Sequence, residues 1–270
     1  MEDSSNKIPD REPPIEEPKT ETRSYFVRKR NALVVRADFG ELYTDYYLHL
    51  LEHGVKLELQ RDELLKTALA CLVLNLGSRP WNEATAWTIH LEELNINLFV
   101  TGDNRLANVV GRVFTEDVKS IGKSMFYSLI TRPDGFSRKS MVEIEGLDLL
   151  SQVEQYYKQS EQRAARLFQI DGEEYVIVTA QPQCDMKWFN ALDTEAIKTL
   201  DQHEELSLLE KRFYKFECGC TRKRIVEMVQ SFSESFRAEI FKENKPAVVT
   251  CPRCYAVYEI TAGEFAESQS

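Results

Sequence analysis

Four cysteines near the C-terminus constrain this chain more than any other feature. Cys218 and Cys220 flank a single residue, thirty residues follow (221–250), and Cys251 and Cys254 flank two. Two such pairs, brought together from separate segments, offer four thiolates to one ion, the tetrahedral set that zinc favours. Gly219 lets the first pair bend sharply and Pro252 stiffens the second. Between the pairs the sequence reads as a helix capped by Thr221, with Ile225, Val229, Phe232 and Phe236 on one stripe. That stripe is too small to build a core, so this segment should need its metal to fold. Structural zinc contributes roughly 10–16 kcal/mol in small modules.

The four histidines, His49, His53, His90 and His203, are remote from the cysteines in sequence and read as showing no ligand spacing. A closed four-sulfur site leaves no position for a reacting water, which argues against catalytic zinc. No phosphate-cradling glycine loop, nucleophile elbow or paired His–Glu helix motif is read elsewhere, so the chain is not expected to be an enzyme. The Cys-x-Cys pair is tighter than the usual ribbon spacing, and a disulfide across it would be strained and easily reduced. Arg222, Lys223, Arg224 and Arg253 are expected to put positive charge beside the sulfurs and favour thiolate. Two readings stay open on these residues: a redox switch, and a static zinc knot in a protein-interaction module. Of the other cysteines, Cys71 lies in the apolar run LLKTALACLVLNL and reads as buried, while Cys184 reads as a free thiol in a loop.

The 44 acidic against 34 basic side chains leave a net charge of -10, which disfavours non-specific binding to nucleic acid or anionic lipid. No apolar run is long enough to cross a bilayer and no secretory leader is read, so neither a membrane nor a nucleic-acid partner is expected and a cytoplasmic protein is.

Along the chain, residues 1–22 read as a disordered acidic tail holding four of the nine prolines. Residues 23–182 read as an α+β domain, a mostly antiparallel sheet with packed helices. Its strands are expected at Arg30–Gly40, Thr85–Leu91, Asn95–Thr101, Arg105–Phe114, Lys123–Ile130, Arg138–Glu145 and Glu173–Gln181. Its helices are expected at Glu41–His53, Arg61–Leu76 and Leu147–Gln162. Residues 183–216 are helical in period and heavily charged, and read as a helical connector. Residues 217–262 form the small zinc-binding domain, and 263–270 a flexible tail.

The runs FECGCTRKR and VTCPRCYAVYEI at this distance resemble the bacterial 33 kDa redox-regulated chaperones, the heat-shock protein 33 family. EQYYKQSEQRAARLF resembles a second family segment, with Ser160-Glu161-Gln162 and Arg166 in place, and DELLKTALACLVL and GDNRLANVVGRV fall in family order. The resemblance spans about residues 24–262. It implies one Zn2+ held in the reduced state by Cys218, Cys220, Cys251 and Cys254, and oxidation to the disulfides Cys218–Cys220 and Cys251–Cys254 with loss of the ion. It further implies unfolding of the zinc domain and connector, ATP-independent holding of unfolding client proteins, and dimerisation on oxidation. Trp188, Phe189, Leu206 and Leu209 on the connector are candidate client-binding residues, because exposing them would create an apolar surface. Three departures stand out. Glu92-Glu93-Leu94 replaces a glycine-rich turn, the connector is shorter than the family's by roughly ten residues or more, and the acidic N-terminal tail is additional.

Overall fold

The computed structural model describes residues 19–233, 235, 236, 239, 241 and 246–261. Most of the acidic tail and the C-terminal 263–270 lie outside the described residues. The centre of the fold is a ten-stranded sheet in the order β7-β6-β3-β4-β5-β10-β1-β2-β9-β8.

One half comprises β3 (Ala84–Leu91), β4 (Ile96–Asp103), β5 (Asn108–Phe114), β6 (Met125–Thr131) and β7 (Ser137–Glu143), all paired antiparallel, with the β6–β7 hairpin crossing over to lie beside β3. In β3 the side chains alternate, with Trp87, Ile89 and Leu91 buried and Ala86 and Thr88 half-covered on the other face. Such alternation marks a sheet with one face on the core, and its period makes these strands legible in sequence. The other half comprises β1 (Thr20–Val27), β2 (Ala32–Asp38), β8 (Ala165–Gln169) and β9 (Glu174–Ala180). In β9 both faces are covered. Tyr175 and Ile177 of β9 face the main core, and Val176 and Val178 face a second apolar cluster. A strand buried on both faces reads as the continuous apolar run YVIV rather than as alternation.

Helices α1 (Gly40–Glu52), α2 (Leu59–Gly77) and α3 (Leu149–Gln159) build the main core with the sheet. α2 is buried almost all round from Ala68 to Gly77, Cys71 included, as its unbroken apolar run predicts. It lies so close to β5 that a Cβ at Gly111 would stand 2.9 Å from Leu65 Cδ1 and 2.8 Å from Val100 Cγ1.

Three sequence expectations need correction. The acidic tail ends sooner, because Thr20–Thr22 already belong to β1. The core-facing positions of β1 are Thr20, Thr22 and Ser24, so no apolar alternation announces it. Their hydroxyls are satisfied internally: Leu42 N–H donates to Thr20 Oγ1 at 3.0 Å, and Ser24 Oγ donates to Gly77 C=O at 2.9 Å. Second, β8 completes a hairpin with β9 around the expected Asp171-Gly172 turn, and α3 stops at Gln159 rather than Gln162.

The third correction concerns the connector. Only its first part is helical, as the short helices α4 (Met186–Ala191), α5 (Thr194–Lys198) and α6 (Leu200–His203). Leu206–Phe216 is strand β10, antiparallel to β1 and parallel to β5, and it joins the two halves of the sheet. Its alternation, Arg212, Tyr214 and Phe216 inward, is interrupted by a bulge opposite Ser24 and Tyr25 that leaves Leu208 and Leu209 exposed. One inward residue is charged. Arg212 is buried, donates to Leu76 C=O at 2.9 Å, and stacks its guanidinium 4.3 Å from the Trp81 ring centre. A bulge and an inward arginine erase the period-2 signal, and the remaining charges imitate a helix.

Candidate metal centre

β10 delivers the chain directly to the first cysteine pair. Gly219 adopts φ +62°, the left-handed conformation that turns Cys218 and Cys220 toward one point. Thr221 caps α7 (Arg222–Gln230), its side chain accepting from Arg224 N–H as expected. Ile225, Val226 and Val229 of α7 pack with Ile260 in a small cluster separate from the main core, while Phe236 of the expected stripe is exposed. The second pair sits in the loop of a hairpin, β11 (Ala247–Thr250) with β12 (Val257–Ile260). The loop is closed by Cys251 N–H donating to Ala256 C=O at 2.7 Å and Tyr255 N–H to Cys251 C=O at 3.3 Å.

The four sulfurs converge. Their Sγ atoms all lie within 4.8 Å of one another. Cys218 and Cys251 sulfurs are 3.7 Å apart and Cys220 and Cys254 sulfurs 3.5 Å apart. A tetrahedral site with metal–sulfur bonds of about 2.3 Å has edges of about 3.8 Å, so the donor set fits a single thiophilic ion. All four are free thiols; Cys218, Cys251 and Cys254 are buried and Cys220 is half-buried. Sharing of protons among the sulfurs governs their acidity. S–H groups of Cys218 and Cys254, with the N–H groups of Arg253 and Cys254, hold the Cys251 thiol far below its ordinary value. The same bond pushes Cys218 up to about 12. A buried quartet of sulfurs cannot carry four negative charges without a cation among them.

Two of the expected positive charges are engaged by backbone carbonyls. Arg224 Nη1 donates to Gly219 C=O at 2.7 Å, and Arg222 donates to Glu259 C=O. The acidity of the shifted thiols is governed first by the neighbouring sulfurs, not by these side chains. The hydroxyl of Tyr258 lies 3.1 Å from both the sulfur and the carbonyl oxygen of Cys220.

The cluster is docked on the sheet through its own backbone. Arg112 Nη1 of β5 donates to Cys251 C=O at 2.9 Å, and its guanidinium stacks 4.6 Å from the Tyr255 ring centre. Val113 N–H donates to Tyr255 Oη at 2.7 Å, and Tyr255 O–H returns to Val113 C=O at 2.8 Å. β10 pairs with β5 only at Asn108 and Val109, so the tyrosine takes over the edge of β5 where that strand leaves off. His49 Nε2 of α1 lies 2.6 Å from Cys254 C=O, the geometry of a ring N–H donating to that carbonyl. Cys218, Cys251 and Cys254 thereby belong to the main core. Sequence reasoning missed Arg112, Tyr255 and His49 here, because neighbours brought together by folding leave no spacing signal. It also misread the histidines as lacking ligand spacing and the chain as lacking a paired His–Glu helix motif. His49, Glu52 and His53 at the end of α1 bring a ligating atom each within 4.8 Å of the others.

The other segments quoted for the family resemblance are structural. Glu161 is half-buried, its side chain bridged to Arg79 Nη2 at 2.8 Å and Arg138 Nη2 at 2.5 Å, with Tyr156 O–H donating at 2.9 Å. Arg166 Nη1 donates to Asn190 C=O at 3.3 Å, tying β8 to α4. In the turn that replaces the glycine-rich one, Glu92 accepts from Ser120, from His90 Nε2 at 2.8 Å and from Ile121 N–H at 2.9 Å, which holds its carboxyl at about 2.

The candidate client-binding residues fall in different places. Phe189 is buried with Leu192, Ile197 and Leu200 against Val27, Val34, Val176 and Val178. Trp188 and Leu206 are partly buried at the same cluster, and only Leu209 is fully at the surface. No described helix is long and apolar enough to cross a membrane.

The chain is similar to known proteins. The family model described as Hsp33 protein matches residues 169–261. The 33 kDa chaperonin of Cronobacter sakazakii is 26% identical over 199 residues, covering 62% of this chain and 68% of that protein. The 33 kDa chaperonin of Edwardsiella ictaluri is 26% identical over 163 residues, covering 51% of this chain and 56% of that protein. The crystal structure of the 33 kDa chaperonin from Thermotoga maritima superposes with a TM-score of 0.71 over 92% of this chain and 97% of that one, at 14% identity, and so shares the fold. With a cysteine quartet on this α+β scaffold, a family match that runs through it and these curated relatives, the chain is similar to the Hsp33 chaperones.

Proposed function

We propose that the protein is an ATP-independent holdase that binds unfolding proteins under oxidative stress and is activated by oxidation of a zinc–thiolate cluster. The observation that carries this reading is the sulfur quartet, with contacts of 3.5 and 3.7 Å between arms that are far apart in sequence. Cys218, Cys220, Cys251 and Cys254 would hold one Zn2+, which cross-links the two arms and neutralises their thiolates.

The chemistry belongs to the sulfurs. One thiolate attacks a peroxide oxygen; the S–O bond forms, the O–O bond breaks and hydroxide leaves. A second thiolate attacks that sulfur; the S–S bond forms and the S–O bond breaks with loss of a second hydroxide. Each disulfide thus consumes one peroxide and two protons and yields two waters. The charge that holds the ion disappears with the thiolates. The family resemblance implies the pairing Cys218–Cys220 and Cys251–Cys254.

The domain reading changes with the fold. We take 183–203 as the helical connector, β10 as part of the sheet, and 217–262 as the switch. β10 lies between β1 and β5, so releasing it would divide the sheet, whereas α4–α6 are attached at its outer face. Releasing them would bare Trp188, Phe189 and Leu206 together with Val34 and Val178 beneath, beside the already exposed Leu209. This is the client surface we propose, in a cytoplasmic protein that dimerises when oxidised.

The second reading, an interaction module with a static zinc site, is favoured by one observation: three of the sulfurs are buried beneath backbone contacts to the sheet. Suppression of aggregation of a heat-labile client, by reduced and peroxide-treated protein side by side, separates the two. The switch predicts suppression only after oxidation, with zinc loss and paired disulfides in the same sample by mass spectrometry. Equal activity in both states, or retained metal after full thiol oxidation, would leave the static module standing.

A further inference from the structure

The last turn of α1 and its C-cap read His49-Leu50-Leu51-Glu52-His53. Positions i, i+3 and i+4 of a helix share one face, and histidines at i and i+4 are the spacing with which helices chelate metal ions. Folding bears this out, since one ligating atom of each residue lies within 4.8 Å of the others and the two imidazole ring centres are 4.5 Å apart.

We propose that His49, Glu52 and His53 form a second site for a divalent transition metal such as Zn2+, separate from the cysteine quartet. Three arguments support it. First, His49 Nε2 is engaged by Cys254 C=O at 2.6 Å. A ring that donates from Nε2 keeps its lone pair on Nδ1, and a histidine ligand whose other nitrogen donates to a carbonyl is the usual arrangement around bound metals. Second, the cation would sit at the C-terminal end of a 13-residue helix, where the peptide dipoles favour positive charge. Third, the donors are imidazole and carboxylate, which suit Zn2+, Co2+, Ni2+ or Cu2+. A tetrahedral nitrogen and oxygen site has edges of about 3.4 Å. Glu52 is exposed and His53 half-exposed, so both have room to rotate inward. Two histidines and one carboxylate leave a position for water, so this site binds more weakly than four thiolates and exchanges its ion more readily.

The HxxEH order also occurs in inverted zinc peptidases, where the glutamate is the base and a remote acid completes the ligands. Among the described residues no further acid joins this group, and the site is read as binding rather than hydrolytic. Its consequence is linkage. An ion on Nδ1 makes Nε2–H a stronger donor to Cys254 C=O, so metal at the second site should tighten the docking of the first, and docking should tighten the metal. The proposal does not depend on the redox reading.

The test is equilibrium dialysis of the reduced full-length protein against buffered free Zn2+, with Co2+ as the spectroscopic probe. Wild type should bind two ions per chain in two affinity classes. His53→Ala and Glu52→Gln, which leave His49 in place, should each weaken the second class tenfold or more and spare the first. A second equivalent of Co2+ should add ligand-field absorption without thiolate charge transfer. A single ion per chain across the micromolar range would overturn the proposal. So would a second class unchanged in His53→Ala, or a second equivalent that adds thiolate charge transfer and therefore sits on Cys71 or Cys184.

Discussion

Replacing Tyr255 by phenylalanine removes one oxygen and tests whether the metal centre is held on the sheet by the contacts described. The phenol makes two hydrogen bonds with the Val113 peptide, at 2.7 and 2.8 Å. Each contributes about 1 kcal/mol net, so the variant should lose about 2 kcal/mol of docking energy, or about thirtyfold in the docked-to-open ratio. The aromatic ring, its stacking on Arg112 at 4.6 Å and the left-handed φ of +69° all survive the substitution. The loss therefore falls on docking and not on the four cysteines. With three of the four sulfurs buried, peroxide should reach them chiefly through the open form. Zinc release, followed with a chromogenic chelator at fixed peroxide, should then accelerate by up to about thirtyfold, in proportion to the open population. Hydrogen exchange at the Val113 amide should rise in step. Unchanged exchange at Val113 would refute the docking argument. Raised exchange with unchanged zinc release would show that the sulfurs are oxidised without undocking.

Two more predictions bear on the parts flanking the cysteine quartet. Arg30 holds the connector through Glu204 Oε1 at 2.9 Å and Asp185 Oδ2 at 2.7 Å, with its guanidinium 5.6 Å from the Trp188 ring centre. Arg30→Ala should raise hydrogen exchange across 186–203 several-fold and increase binding of a hydrophobic dye in the reduced state, while exchange in β3–β6 stays unchanged; uniform loosening of both regions would contradict a local clip. Glu161→Gln should cost about 2–3 kcal/mol at pH 7, because it leaves the half-buried Arg79 with only the more distant Glu83 carboxylate, at 4.0 Å, as counter-charge. Burial opposes ionisation of Glu161, but Arg79 and Tyr156 outweigh it and the carboxyl titrates below its ordinary value. A depressed folded pKa stabilises above the unfolded value of about 4.3 and loses that stability as pH falls through the folded one. Urea unfolding at pH 7 and pH 3 should therefore show a gap between wild type and variant that narrows in acid; a constant gap would remove the electrostatic explanation.

Much of this protein is written locally. The alternation of Trp87, Ile89 and Leu91, the apolar face of α2 and the turn at Asp171-Gly172 depend on near neighbours in sequence, so periodicity and turn chemistry reveal them. The cysteine quartet is legible for a related reason: one ion restricts four ligands to tight pairs, and tight pairs are visible as spacing. β1 and β10 are not legible, because Thr20, Thr22, Ser24 and Arg212 occupy core-facing positions that only their distant hydrogen-bond partners satisfy. The HxxEH of α1 was present in the sequence but carries meaning only once Cys254 C=O settles on His49. Sequence by itself therefore determined the cysteine quartet and the α+β class, since these rest on residue type and short-range spacing. Tertiary structure alone decided that the second half of the connector is the central seam of the sheet. It also decided that the metal centre is docked on β5 and α1, because those contacts join residues from 139 to 205 positions apart, and no local pattern encodes them.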